Sequence, residues 1–216
     1  MRKEFENNFM FSNITGISVK IGRCDITIAP SEDDNCYVTL DGSYLNFDNF
    51  IISKCGNQLN IEVLVEEPRM CLNVKVKDLK KLHLEDNRDN RINVTVAVPY
   101  VEIDSKGSSV FKIESISGGN VILSGSSEIV FKNVSHSLSS LIAGSGNIKV
   151  CQGALNQIDV IVSGSGSFES NAAVKDANVV VTGSGRVILS SVTDNLMQNC
   201  TGTGNIQIEK NTQGKE

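Results

Sequence analysis

Histidine is the side chain that most often performs acid–base chemistry or binds zinc, and this chain has two, His83 and His136, one in each half. A metal site of three histidines within one chain is therefore excluded, and a histidine-based triad would need two distant segments to meet. We interpret both histidines as ordinary surface or edge residues. The sequence predicts no catalytic residue, no metal site and no cofactor.

Carboxylates are the other candidates, because polysaccharide hydrolysis needs several of them on one face. The acids in the second half, such as Glu102, Glu128 and Asp159, are separated by polar or apolar residues. The densest acidic run is EDNRDN at residues 85–90. We interpret this run as a solvated loop, with calcium binding as the minor alternative.

Cysteine could supply redox chemistry or disulfides, and the chain has six. They are Cys24, Cys36, Cys55, Cys71, Cys151 and Cys200. The spacings match neither paired CxxC motifs nor a compact disulfide framework. We expect free thiols that act as small buried hydrophobic residues in a reducing compartment.

The elements that must position these residues follow a repeat in the second half of the chain. Six similar segments align on their first glycine, and the successive spacings are 18, 19, 20, 19 and 19 residues. These glycines are Gly107, Gly125, Gly144, Gly164, Gly183 and Gly202. The same corner returns too soon for an intervening helix, so the chain must coil.

Apolar and polar residues alternate on both sides of each glycine, so each repeat is two strands joined at a glycine corner. The fourth residue after the glycine is predicted to form one internal column: Phe111, Ile129, Ile148, Phe168, Val187 and Ile206. The third side of each coil is the short link between the two strands, which carries Val134, Leu155, Val174 and Val192 in successive coils. We predict an all-β fold, a single-stranded, right-handed parallel β-helix of six coils over residues 101–208. Glycine is expected at the corner because it adopts positive φ.

A hydroxyl follows the corner glycine in every repeat. These residues are Ser108, Ser126, Ser145, Ser165, Ser184 and Thr203. We interpret them as a structural corner ladder that hydrogen-bonds from coil to coil, with a ligand-binding ladder as the weaker alternative. Ice binding ranks last, because the column is mostly serine and lies at a corner.

The alternation of inward and outward side chains predicts that the third residue before each corner glycine points to the outside of the coil. Four consecutive coils have a branched apolar residue there: Ile122, Leu141, Ile161 and Val180. Such a stripe, about 15 Å long, is rarely left in water by a monomer. We predict a docking stripe, covered by residues 1–100, by a second copy of the chain or by a protein partner.

The first hundred residues differ in composition, with 27 of the 45 charged residues and four of the 18 glycines. Alternating apolar runs indicate strands, and Gly22-Arg23 between two of them is typical of a hairpin turn. We expect residues 1–100 to form an irregular β-rich half that caps the coil or adds early coils of its own. The polar tail, residues 209–216, is predicted to be disordered.

Overall charge excludes some partners. The net charge is −5 with a pI near 5.2, and no basic run is present, so nucleic acid is not expected to bind. No stretch approaches the length of a membrane span. The segment MRKEFENNFMF lacks the apolar region of a signal peptide, which favours the cytoplasm.

The chain resembles the putative auto-transporter adhesin head domain of GIN type. The opening FSNITGISVKIGRCDITIAPSEDDNCYVTLDG, the run INVTVAVPYVEIDSKGSSVFKI and the repeated GSG corners carry this resemblance. It implies a β-helical fold, a role in adhesion or scaffolding, and no catalytic residues. It also implies the cell surface or periplasm if a leader is removed. The hypothesis is a non-catalytic binding module for a protein or glycan surface; the alternative is a carbohydrate-active β-helix enzyme.

Overall fold

The described part of the chain contains sixteen strands and no helix. The computed structural model describes residues 8–41, 50–64 and 70–211. Within these ranges no helix is available to cross a membrane. The strands are β1 Asn8–Ser12, β2 Gly16–Ile21, β3 Cys24–Pro30, β4 Asn35–Asp41, β5 Phe50–Cys55, β6 Gln58–Val63, β7 Met70–Val76, β8 Lys81–Asp86, β9 Arg91–Val94, β10 Val98–Ser105, β11 Val110–Leu123, β12 Glu128–Ile142, β13 Asn147–Val162, β14 Ser167–Gly183, β15 Arg186–Gly202 and β16 Asn205–Asn211.

The strands stack into a parallel β-solenoid with two wide faces, which we name after the corner glycine between them. The pre-glycine face contains β2, β6, β8, β10 and the last parts of β11–β15. The post-glycine face contains β3, β7, β9, β16 and the first parts of β11–β15. About seven turns follow in chain order from β8 to β16, which confirms the predicted fold class.

The predicted internal column is confirmed by the strand register. Phe111 pairs with Ile129, Ile129 with Ile148, and the pairing continues through Phe168 and Val187 to Ile206. The first five side chains are buried, and Ile206 in the last coil is partly buried. Like residues stack about 4.8 Å apart, so each coil buries the apolar column of its neighbours.

The corner glycines stack along one edge, but positive φ is not the general reason for glycine there. A Cβ on Gly125, Gly144 or Gly164 would meet the carbonyl oxygen of the corner glycine one coil earlier. Only the last two corners, Gly183 and Gly202, also have positive φ, at 114° and 104°. The expectation from φ is therefore wrong for the earlier corners, where close approach of two backbones excludes a side chain.

Replacement of Gly144 by alanine should destabilise the solenoid, since the new Cβ would press on the backbone of Gly125 and no flexible side chain can yield. We expect a loss of about 1–3 kcal/mol in the free energy of unfolding, as for other overpacked sites. Urea denaturation followed by circular dichroism measures it. Ser145→Ala, at the exposed neighbouring position, is the control. An unchanged midpoint for Gly144→Ala would contradict the close-approach explanation.

Much of the N-terminal half is regular solenoid. β2 pairs in parallel with both β6 and β8, and β3 pairs in parallel with both β7 and β9. The coil formed by β2 and β3 therefore lies between two coils that come later in the sequence. β2 and β3 do not pair with each other, so the hairpin predicted at Gly22-Arg23 is wrong: this dipeptide forms a coil corner. Turn residues favour a change of direction but do not say which strand becomes the neighbour.

Antiparallel strands cover the N-terminal end of the solenoid. β4 pairs with β7, β1 pairs with β4, and β5 pairs with β6, all antiparallel. They satisfy backbone groups that the outermost coil would otherwise expose. A capping role for part of residues 1–100 stays a prediction, and β1, β4 and β5 are the strands that would perform it.

The C-terminal end is the last turn, formed by β15 and β16. β16 continues to Asn211, where it pairs with Val192 of β15, so residues 209–211 of the predicted tail are strand. Residues 212–216 lie outside the described residues. Ile206 and Ile208 pack against the core from this end and remain partly accessible.

Candidate binding surface

The predicted stripe lies on the outside of the pre-glycine face. Ile122 pairs with Leu141, Leu141 with Ile161, and Ile161 with Val180, so the four side chains stand in one row. Ile161 leaves 42% of its surface exposed, and the other three are half-buried by their neighbours. The strand alternation places them outward because the residues on either side of each point into the core.

The described strands of residues 1–100 extend the solenoid along its axis and do not lie over the stripe. Below Ile122 the same outward column continues through Asp104, Glu85, Lys20 and Glu62. Lys20 Nζ lies 2.8 Å from Glu62 Oε1. The pre-glycine face is therefore charged over its N-terminal coils and apolar over the next four.

The predicted corner ladder is exposed along its whole length. Backbone bonds connect neighbouring coils there: the Ser126 N–H donates to the Gly107 carbonyl at 2.9 Å, and the Ser145 N–H donates to the Gly125 carbonyl at 3.0 Å. A direct hydroxyl contact of 2.9 Å joins Ser184 and Thr203. Because backbone pairing does not depend on the side chain, a structural role for the six hydroxyls stays a prediction.

A polar groove runs along the solenoid axis beside the stripe. Two shallow depressions of about 400 Å³ each share Gln157 and Asp159 as lining residues. Asp159 accepts hydrogen bonds from Gln157 Nε2 at 2.9 Å and from Asn178 Nδ2 at 3.3 Å. Asp176 accepts one from Asn195 Nδ2 at 2.6 Å. These amides hold both carboxylates in fixed orientations. We name this surface the axial groove.

Sequence reasoning missed the axial groove because it compared carboxylates alone. Gln157 and Asp176 each stand seven residues before their corner glycine, and Asp159 and Asn178 each stand five before theirs, so the glycine alignment already places them side by side. Asp159 looked isolated because its neighbours in the column, Ser139 and Asn178, are not acids, although Asn178 is the amide that donates to it.

The acidic run at residues 85–90 is not simply a solvated loop. The side chain of Asp86 is fully buried and accepts hydrogen bonds from Asn90 Nδ2 at 2.7 Å and from the Ser105 hydroxyl at 3.0 Å. Ser105 and Ser127 share a hydroxyl contact of 2.7 Å, and the Ser109 N–H donates to Ser127 at 2.9 Å. This buried polar network fills the interior of the corner where later coils have apolar residues.

Within the same network, the direction of each hydrogen bond follows from Asp86. A carboxylate only accepts, so the Ser105 hydroxyl donates to it and the Ser127 hydroxyl must donate to Ser105. The side-chain oxygen Oδ1 of Asn90 accepts a hydrogen bond from the Cys24 N–H at 2.9 Å. The network therefore ties the β2–β3 coil to the three coils stacked beyond it, which contribute Asp86 and Asn90, Ser105 and Ser109, and Ser127 in turn.

Both histidines lie on the outer surface. His83 Nδ1 is 3.4 Å from Glu102 Oε2, and His136 Nδ1 is 3.0 Å from the Asn156 amide nitrogen. In the ranges that the structure describes, no three His, Cys, Asp or Glu side chains come together as metal ligands.

The cysteines differ in accessibility. Cys36, Cys55, Cys71, Cys151 and Cys200 are free thiols, and Cys55, Cys71 and Cys200 are exposed. Burial raises the pKa of the Cys36 thiol to about 11, so this thiol stays protonated at neutral pH. It packs as a small apolar residue on the buried side of β4.

Comparison with known proteins gives the family. A family model described as "Putative auto-transporter adhesin, head GIN domain" matches residues 22–212. The chain belongs to this family. No curated protein sequence matches the GIN domain described here.

Solved structures share the fold of this GIN domain. A putative adhesin from Bacteroides fragilis NCTC 9343 superimposes with a TM-score of 0.58 at 13% identity, covering 96% of this chain and 98% of that one. A putative adhesin from Parabacteroides merdae ATCC 43184 gives a TM-score of 0.57 at 13% identity, covering 93% and 94%. At 13% identity these likenesses show the shared solenoid fold.

Proposed function

We propose that this GIN domain is a non-catalytic, adhesin-like scaffold that binds through the outer surface of its pre-glycine face. The observation that carries the proposal is the apolar stripe, which no described residue of the chain covers. An exposed apolar row with charged and polar ends is typical of an interaction surface. Membership of an adhesin family supports a binding role.

The occupant of the stripe in this proposal is a second copy of the chain. A two-fold axis parallel to the strands reverses the order of the coils, so Ile122 of one copy meets Val180 of the other and Leu141 meets Ile161. The charged coils that carry Glu85 then project beyond the last coil of the other copy. Face-to-face docking therefore buries the apolar row and covers only Asp104 of the charged column, which meets the polar Asn199 of the other copy.

The surface between the stripe and the corner suits this docking because its side chains are small and uncharged. The outward residues next to the corner are small and exposed: Ser124, Ala143, Ser163 and Thr182. Two sheets pack about 10 Å apart when such side chains line the contact. Four apolar residues bury less area than a permanent dimer needs, so we expect association to be weak and to depend on concentration.

Leu141→Lys combined with Ile161→Lys is expected to abolish self-association, because charge repulsion and desolvation oppose docking of the stripe. Both side chains point outward, so the free energy of unfolding should change by about 0.5 kcal/mol per substitution or less. Analytical ultracentrifugation over a range of concentrations measures the mass, and thermal denaturation measures stability.

Val130→Lys combined with Ile188→Lys is the matched control, since these half-buried apolar residues point outward from the post-glycine face. The control should associate like the wild type. A wild type that is monomeric at every concentration, or a stripe variant that keeps its mass, would contradict the proposed docking.

A hydrolase screen tests the non-catalytic part of the proposal. Turnover of a substrate by the wild type that the Asp159→Asn substitution abolishes would show that the domain is an enzyme.

A further inference from the structure

The axial groove has a lining chemistry that restricts its ligand. Among the described residues, no lysine or arginine lines either depression, and two carboxylates, Asp159 and Asp176, face the groove. Phosphate, sulfate and uronic acid groups would be repelled there. A neutral ligand is therefore favoured over an anionic one.

The hydrogen-bonding groups of the groove come as donors and acceptors side by side. Asn178 and Asn195 each donate one amide hydrogen to a carboxylate and keep a second hydrogen and a carbonyl oxygen for other partners. Asp159 and Asp176 keep further lone pairs. Sugar hydroxyls are both donors and acceptors, so a chain of hydroxyl-bearing rings matches this mixture, whereas a purely apolar ligand would leave it unsatisfied.

An aromatic ring lies at one end of the groove. Tyr100 is 41% exposed, and Lys81 Nζ lies 5.7 Å from the ring centroid on the side of the preceding coil. On the side of the following coil Tyr100 pairs with Gly118, which has no side chain to cover the ring. A Cβ at Gly118 would lie 3.9 Å from Tyr100 Cδ2 and 3.1 Å from Ser137 Oγ. The groove side of the ring is thus left open for stacking.

We propose that the axial groove binds a neutral carbohydrate chain lying along the solenoid axis. One sugar ring stacks on Tyr100, and the hydroxyls of the following rings bond to Gln157, Asp159 and Asn178. Successive coils repeat these polar groups about every 4.8 Å, a step comparable with the length of one sugar unit. This assignment rests on the proposed non-catalytic function, since it treats Asp159 and Asp176 as ligand-binding groups.

Isothermal titration calorimetry of the full chain tests the proposal with cellohexaose, mannohexaose and the hexamer of N-acetylglucosamine, and with hexagalacturonate as the anionic comparison. We expect at least one neutral hexamer to bind and hexagalacturonate not to bind. Tyr100→Ala and Asp159→Ala should each weaken binding at least about tenfold, the effect of losing one stacked ring or one charged hydrogen-bond acceptor. Tyr100→Phe keeps the ring and should retain the affinity.

Glu128→Ala removes an exposed carboxylate from the post-glycine face and should bind like the wild type. Failure of all three neutral hexamers, equal binding of hexagalacturonate, or full affinity in Tyr100→Ala and Asp159→Ala would each overturn the proposal. Chromatography of the hexamers after titration distinguishes failure of this proposal from failure of the proposed function. Cleavage of a hexamer that the Asp159→Asn substitution abolishes would confirm a carbohydrate site in the groove and refute the non-catalytic role. The groove and the stripe lie on the same face, so a docked second copy would cover the groove, and the stripe variant should bind the hexamers at least as tightly as the wild type.

Discussion

Ile129→Ala should cost about 2–5 kcal/mol in the free energy of unfolding, whereas the same substitution at Ile206 should cost much less. Both residues belong to the internal column, and the register connects them through Ile148, Phe168 and Val187. Ile129 is fully buried between two coils, but Ile206 lies in the last coil and is partly exposed. Removing a side chain leaves a cavity only where neighbours enclose it on both sides.

Urea denaturation of the two variants measures this difference, with the wild type in parallel. Because residue type and position in the repeat are matched, only the place of the coil in the stack differs. Equal losses at the two positions would contradict the open C-terminal end. A negligible loss at Ile129 would contradict the stacked core itself. Fraying of the last turn should also appear as faster amide hydrogen exchange in β16 than in β12.

Asp86→Ala is expected to lower the free energy of unfolding by about 3 kcal/mol. The carboxylate accepts hydrogen bonds from Asn90 and Ser105 inside the corner, and alanine would leave these donors without that acceptor. Each buried polar group left unsatisfied costs about 1–3 kcal/mol. Since the network ties the β2–β3 coil to the following coils, the N-terminal coils should lose the most protection against hydrogen exchange.

Asn87→Ala is the matched control for Asp86→Ala, because Asn87 lies in the same segment with its side chain exposed. Its effect should stay within about 0.5 kcal/mol. If Asp86→Ala proved as stable as this control, water would have to replace the carboxylate inside the corner. The interpretation of the buried polar network as a structural tie would then be wrong.

The interior columns and the stripe could be predicted because a strand places successive side chains on opposite faces. Once the corner glycine fixes the origin of each coil, Phe111 must point inward and Leu141 must point outward. That deduction uses local geometry alone and survives small changes in coil length. Leu141 and Ile161 accordingly lie where the alternation predicts them, although whether they bind a partner is decided by experiment.

The hydrogen bonds of the axial groove and the buried polar network could not be predicted by the same means. Asp159 and Asn178 both stand five residues before their corner glycine and pair across coils, but alternation says only that they face outward, and not that the amide donates to the carboxylate. Asp86 and Asn90 look like loop residues because their charge and polarity favour water. Their buried partners lie in other coils: the Ser105 hydroxyl donates to Asp86, and the Cys24 N–H donates to Asn90.

The sequence by itself determined that the second half coils, since a corner repeated every nineteen residues or so allows no other chain path, and it determined which side chains form the core. The tertiary structure alone decided the order of the N-terminal coils, with β2 and β3 placed between β8–β9 and β6–β7. The physical reason is that alternation and turn residues act within a few positions along the chain. The choice of neighbouring strand depends on which apolar faces and unpaired edges meet across the whole fold.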